Sequence, residues 1–378
     1  MNTNISTIIL GLVSVLILFE SCNKDKKDSL DSFNSINSKY FVNEGKARAI
    51  AAEFNFFKVP DPKSRKIIES VDVLNDAMNK PAYYVIHYNE GFLLLSADER
   101  QEAVLGFSDQ DVFNTKDIPV QLDAIIKEEM SEIDYLRSNN IDSVSNHASE
   151  TWLRLSRPFV SGNVATGNKM TTTGCYSWTN YYGTLVQTKW AQMGGTGMYK
   201  YNDSCPSLPC GKAVTGCVAT AMGQLMAFYK WPASYSWNSM ANANSKPECA
   251  RLLRDAGIAV NMGYNCTGSG ADALNVAPAM KTIFNYTTAA IYTYSLSQMI
   301  PELLTNHPVL LSGRGASGGH MWVCDGYAVV QSLCFTIDYY EHMNWGWGGA
   351  GNGYYTDGSW NPGNLTFNDS RRMIFVRK

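Results

Sequence analysis

Apolar positions along this chain change their spacing several times, and each change marks an element. Ile5 to Phe19 is an almost unbroken apolar run that ends at Glu20-Ser21-Cys22 and gives way to a charged, polar stretch over Asn23–Asp31. Such a run is short for a membrane span and has the form of an export signal. Behind Asn43-Glu44-Gly45, which reads as a helix start, Ala47, Ile50, Ala51, Phe54 and Phe57 share one helical face. That spacing predicts a helix over Ala47–Phe57, stopped by Pro60-Asp61-Pro62. Tyr83–His87 and Gly91–Ser96, joined by Tyr88-Asn89-Glu90-Gly91, predict a β-hairpin, and Val104–Phe107 a further short strand. Over Pro119–Ser138 the residues Leu122, Ile125, Ile126, Met130, Ile133 and Leu136 form one stripe, with acidic residues opposite, as in an amphipathic helix. Together these elements predict a small α+β module. From Asn140 to Thr173 the pattern turns polar and irregular, which predicts an exposed connector open to proteolysis and a domain boundary.

Beyond the connector the pattern resumes. Lys212–Trp231 predicts a buried helix, with Val218, Leu225, Phe228 and Tyr229 at helical spacing and Ala219, Ala221 and Ala227 between them. His307–Leu311 reads as a strand, Ser312–Gly319 as a flexible glycine-rich turn, and His320–Cys324 as a second strand that opens on a histidine. Glu341–Gly349 and Gly351–Tyr355 set two tryptophans among glycines, a pattern that also fits a turn-rich hairpin with core tryptophans.

With 378 residues, 45% hydrophobic and 17% charged, the chain suits two or more globular domains. The net charge of −3 hides an asymmetry: residues 24–150 carry 15 basic and 23 acidic side chains, residues 151–378 carry 16 and 10. Two modules of opposite sign attract, so charge is expected to help hold the acidic one on the basic one. No basic patch interleaved with aromatics is present, which argues against nucleic-acid binding. The cysteine after the apolar run, Cys22, resembles the lipid-attachment residue of a bacterial lipoprotein signal, with plain secretion as the alternative. Export would put the remaining cysteines where disulfides form. Apart from Cys22 and Cys217 these are Cys175, Cys205, Cys210, Cys249, Cys266, Cys324 and Cys334, an odd number whose pairing the spacing leaves open. None of the spacings has zinc-site form, and neither a metal nor a cofactor is expected.

Candidate chemistry centres on Cys217. A cysteine in the first turn of a helix meets free N–H groups and a partial positive charge, both of which favour the nucleophilic thiolate; a packed core cysteine is the bland alternative. His320, flanked by Gly318 and Gly319, leaves room for a substrate backbone and is the best candidate base. His342 is its rival, because it lies two residues from Asn344 and points to the same side of a strand. His307, His87 and His147 read as structural or solvated. Gln192 could donate a neutral N–H to an oxyanion, and Asn344 could fix the tautomer of an imidazole.

Taken together, Gln192, Gly216–Ala221, Gly319-His320 and Asn344–Gly349 resemble the streptopain family of bacterial cysteine peptidases. The first module resembles that family's propeptide in Tyr83–Val85, Gly91–Asp98 and Val104–Asp109. The resemblance implies a papain-like two-lobe α+β fold, a helical lobe plus an antiparallel sheet or barrel lobe, behind a small α+β propeptide domain. Together with the apolar run and polar stretch that precede it, the resemblance, which covers about residues 40–378, divides the chain into a signal segment at 1–22, a polar linker at 23–39, a propeptide at 40–150, a connector with the activation cleavage at 151–173, and a catalytic domain at 174–378. It implies Cys217 as nucleophile, His320 as general base and acid, Gln192 as oxyanion donor and Asn344 as the group that orients His320, with Trp345 shielding that contact. The expected activity is that of a secreted or surface endopeptidase made as a zymogen, with protein or peptide substrates and its own propeptide as inhibitor. An apolar side chain two positions before the cut is the preference it suggests. The expected place is the outer membrane or cell surface, through lipid on Cys22. The rivals are a thiol amidase or transpeptidase acting on cell-wall peptides, and an inactive surface binding or inhibitor protein.

Overall fold

The computed structural model describes residues 39–54, 66–116, 118, 120–155, 177–192, 202–208, 211–240, 247–315, 318–332, 338–356 and 370–378. The expected signal segment with Cys22, residues 193–201 and the cysteines Cys175, Cys210 and Cys334 lie outside them.

In the first module the helix α1 (Glu44–Ala52) starts as expected: Asn43 accepts from the backbone N–H of Lys46 at 2.9 Å, and Glu44 occupies the first turn. It stops five residues before the expected end. Phe54 leaves the helical path and buries its ring edge-on against Phe107 at 5.6 Å. Four antiparallel strands follow, β1 (Ile68–Asn75), β2 (Pro81–Tyr88), β3 (Phe92–Ser96) and β4 (Val104–Ser108). β1 escapes the hydrophobic pattern because it is an edge strand with no fully buried residue. The helix α2 (Val120–Ser138) agrees with the predicted stripe, burying Ile126 and Ile133.

The connector reading needs correction in its first half. Residues Asn146–Leu155 form a helix, α3, begun by the Ser145 hydroxyl, which accepts from Ala148 N at 3.0 Å. Its polar composition hides two apolar anchors, Trp152 and Leu155, and a buried ion pair between Arg154 and Asp338. The Trp152 indole also donates to the Gln101 carbonyl at 2.9 Å. Residues 156–176 lie outside the described residues.

The second module contributes β5 (Ser177–Gly183), α4 (Cys217–Tyr229), α5 (Pro247–Ala259), α6 (Val276–Thr282), β6 (Thr288–Thr293), α7 (Leu296–Leu304), β7 (Val309–Gly315), β8 (Gly318–Ser332), β9 (Asp338–Asn344), β10 (Gly353–Thr356) and β11 (Arg372–Arg377). The glycine-rich stretch expected as a turn is therefore mostly strand, with β7 running to Gly315 and β8 resuming at Gly318. β8 also continues past Cys324, because an irregularity between Cys324 and Gly326 interrupts its alternation without ending the pairing with β9.

The eleven strands among the described residues belong to one antiparallel sheet, ordered β1-β2-β3-β4-β10-β9-β8-β7-β11-β6, with β5 added against β8. The modules join within it, where β10 pairs with β4 through Tyr354↔Phe107 and Tyr355↔Gly106. Successive side chains of the second module's strands face opposite sides, so its strands feed two cores. Leu310, Met321, Val323 and Ile374 pack with α4, α5 and α6. Leu311, Trp322, Cys324 and Met373 pack on the other side with Met299 and Leu303 of α7 and with residues of the first module. This is the expected helical lobe set against a sheet lobe, and it lays α4 along the sheet with Cys217 at its head.

Candidate active site

Gly216 makes the entry to α4 possible. Its φ of 85° is in the region that disfavours other residues, and a Cβ there would come within 2.9 Å of the Met262 sulphur and the Ser269 carbonyl. Cys217 thereby becomes the first helical residue, half-buried and not disulfide-bonded. Burial pushes its thiol above the ordinary value, although the backbone N–H groups of Met321, Val218 and Cys217 itself bear on the sulphur and oppose that shift.

The Met321 contact brings the nucleophile to the start of β8, because the preceding residue is His320. His320 Nε2 lies 3.1 Å from the Trp345 carbonyl, which can only accept. The ring is therefore protonated at Nε2, and Nδ1, which has no partner among the described residues, is left bare to accept a proton. Trp347 stacks on the imidazole at 4.5 Å between centroids and 8° between planes, and Trp322 lies at 5.7 Å. This enclosure pushes the His320 pKa down to about 3 through burial, only partly offset by the Trp345 hydrogen bond.

Asn344 ends β9 as expected but meets a different partner. Its amide donates to the Thr188 carbonyl at 2.8 Å and accepts from Gln224 at 3.1 Å, so the contact expected between Asn344 and His320 is made instead by the carbonyl of the next residue. Trp345 is buried, held through its indole N–H to the Gly351 carbonyl and its backbone N–H to Asn352, both at 3.0 Å. Gln192 lies beside the head of α4, with its carbonyl accepting from Thr215 N at 3.0 Å, while Ala191 next to it bridges to Trp347. Gly318 and Gly319 are exposed at the mouth of the β7–β8 hairpin.

The rival histidine is otherwise engaged. His342 Nδ1 sits 2.6 Å from Asp325, whose other oxygen accepts from Val186 N at 2.8 Å. His307 pairs with Thr305 and Glu302, His87 with Asp72, and His147 lies near Glu102 and Asp338. Among the other cysteines, Cys205 and Cys266 form a disulfide, whereas the Cys249 and Cys324 side chains are buried. The first module reaches this region: Gly351 N donates to the Val112 carbonyl at 2.9 Å, and Lys189 pairs with Asp111. Trp347, Gln224 and the Trp345 carbonyl were not singled out from the sequence. The adjacent tryptophans were the only signal for the first, and a carbonyl leaves no trace in residue type.

The chain matches the Peptidase C10 family over residues 196–239 and 233–355, and the Spi protease inhibitor family over residues 39–133. It is 28% identical to thiol protease/hemagglutinin PrtT of Porphyromonas gingivalis over 374 residues, covering 86% of this chain and 39% of that protein. It is also 28% identical to streptopain of Streptococcus pyogenes over 199 residues, covering 40% of this chain and 48% of that protein. The chain thus spans less than half the length of these curated relatives. A fragment of prointerpain A from Prevotella intermedia has the same fold, with a TM-score of 0.54 and 24% identity over 81% of this chain and 97% of that one. The two family matches fall one on each module, and the solved neighbour spans both: residues 196–355 are of the Peptidase C10 type and residues 39–133 of the Spi inhibitor type.

Proposed function

We propose that the chain is the zymogen of a cysteine endopeptidase. The observation that carries this reading is the meeting of Cys217, at the head of α4, with the start of β8, where His320 keeps Nδ1 bare. His320 Nδ1 takes the thiol proton, and the Cys217 sulphur forms a bond to the peptide carbonyl carbon. The oxyanion so formed is met by the Gln192 side-chain amide and the Cys217 backbone N–H. The C–N bond then breaks as His320 returns its proton to the departing amine. Water, deprotonated by His320, attacks the thioester and releases the acid with the thiol restored.

In the unprocessed state both partners are held uncharged. The first module, paired through β4 to β10 and accepting from Gly351 N at the Val112 carbonyl, bears on the 345–351 turn whose Trp347 stacks on His320, and acts as an intramolecular inhibitor. Export and lipid attachment at Cys22 complete the proposal; a Cys22→Ser chain that still partitions with membranes would exclude the anchor.

The test is to incubate the chain and its Cys217→Ala variant side by side with casein. The wild type processes itself and digests casein, and the variant does neither. Equal digestion by both removes the mechanism.

A further inference from the structure

Two steps beyond the residues that would touch substrate lies a small polar ring enclosed in the core, and three chain segments meet at it. Gln224 follows Cys217 by seven residues, two turns along α4 and on the same face. It is fully buried. Its Nε2 donates to Asn344 Oδ1 at 3.1 Å, the Asn344 Nδ2 donates to the Thr188 carbonyl at 2.8 Å, and the Thr188 hydroxyl donates back to Gln224 Oε1 at 3.2 Å. The same Oε1 also accepts from Trp190 N at 3.1 Å. Each amide has only one orientation that works. Trp190 N–H can only donate and the Thr188 carbonyl can only accept, so the oxygen of Gln224 and the nitrogen of Asn344 are both assigned.

Each of the three segments carries one part of the proposed machinery. α4 carries Cys217. The end of β9 carries Asn344 and, next to it, the Trp345 carbonyl that holds His320. Residues 188–190 lead directly to Gln192. The turn after β9 rests on α4 so closely that a Cβ on Gly346 would lie 3.1 Å from Thr220 Cγ2 and 4.0 Å from Gln224 Nε2. A buried amide left without partners is costly, which makes this ring resistant to sliding.

Building on the reading above, we propose that Gln224 is a positioning residue: through Asn344, Thr188 and the Trp190 amide it sets the register of residues 188–192 against α4 and so aims the Gln192 amide at the oxyanion formed over Cys217. Gln224 itself touches no reacting atom. Its effect runs through oxyanion stabilisation and leaves the nucleophile's own reactivity in place.

Peptide hydrolysis needs the oxyanion donor, whereas alkylation of Cys217 by iodoacetamide does not, so the two readouts separate a positioning role from general damage. Full chains of wild type, Gln224→Leu, Gln192→Ala and the double variant are incubated to constant activity and normalised to alkylatable Cys217. Because removing an oxyanion donor costs on the order of 10²–10³ in turnover, Gln224→Leu should lower kcat by roughly tenfold or more with little change in KM. Its alkylation rate and the pH profile of that rate should stay within about twofold of wild type. The double variant should be no slower than Gln192→Ala alone. Independent, multiplying losses in the double variant, or an unchanged kcat in Gln224→Leu, overturns the proposal while leaving the peptidase reading intact. A wild type whose casein digestion survives Cys217→Ala overturns that reading instead. Should Gln224→Leu fail to accumulate as folded protein, Thr188→Val decides in its place: it deletes one bond of the ring at nearly constant volume, and a kcat equal to wild type counts against the proposal.

Discussion

Above about pH 3 the His320 ring is neutral, and at neutral pH the Cys217 thiol keeps its proton, because burial works against both charged forms. A thiolate–imidazolium pair would instead keep the sulphur ionised into the acid range. The unprocessed chain should therefore react with iodoacetamide slowly at pH 7 and faster as pH rises past 9, whereas the processed chain should show a rate nearly flat from pH 5 to 8. A flat profile before processing would mean that the pair is already formed in the zymogen. The same burial carries a stability consequence. The folded pKa of His320 lies below the ordinary value of 6.5, so between them the unfolded chain binds the additional proton, and this group removes stability as pH falls from about 6.5 toward 3. A His320→Gln chain should show a shallower fall in melting temperature over that window. At this scale Cys217 and His320 were legible as candidates from residue type and local spacing, and folding brings the start of β8 to the Cys217 sulphur. Asn344 was legible as important but not in its contacts, since the group that holds His320 is a backbone carbonyl. Gln224 was hidden because a glutamine inside an alanine-rich helix looks incidental until its partners from residues 188–190 and 344 arrive by folding.

At the scale of elements, the β4–β10 pairing is the joint between the first and second modules. Gly106 stands where a Cβ would come within 2.7 Å of the Tyr355 ring and 3.2 Å of the Tyr354 carbonyl. Gly106→Val should loosen that joint by about 1–3 kcal/mol and shorten the lag before peptidase activity appears in a casein progress curve. An unaltered lag would mean that the pairing does not restrain activation. The helix α3 fastens the module a second time. Arg154→Met would leave Asp338 buried without its cation, at a cost of about 3–5 kcal/mol, seen as a clear drop in melting temperature; pairing it with Asp338→Leu should recover most of the loss. Because α3 is buried through Trp152 and Leu155, the first residue of the processed chain should lie beyond Leu155, as N-terminal sequencing would show. Strongly patterned elements such as the β2–β3 hairpin and α4 were readable in advance. α3 and β1 were not, since one mixes charged side chains into its buried face and the other is a sheet edge with little apolar surface to reveal it.

For the whole molecule, the charge asymmetry suggested two bodies drawn together electrostatically. The sheet tells a more specific story: strands of both modules are hydrogen-bonded in one series, and Phe107 packs against Tyr340 and Tyr354 across the joint at 5.4 Å each. Among the described residues, Lys189–Asp111 crosses the joint with the predicted polarity, while Arg154–Asp338 lies wholly within residues 151–378 and is buried from salt. Raising salt from about 0.05 to 1 M, which shortens the screening length several-fold, should change the activation lag by less than about twofold. A lag that collapses in salt would restore the electrostatic account. The central claim is that Cys217 alone among nine cysteines becomes the nucleophile once the first module is cut away. Its most direct test is to treat unprocessed and processed chains with a thiol-reactive epoxide and map the label by mass spectrometry. The account predicts stoichiometric label on Cys217 in the processed chain, with activity lost in proportion, and little label before processing. Label on Cys249 or Cys324, or full activity with Cys217 blocked, would contradict it.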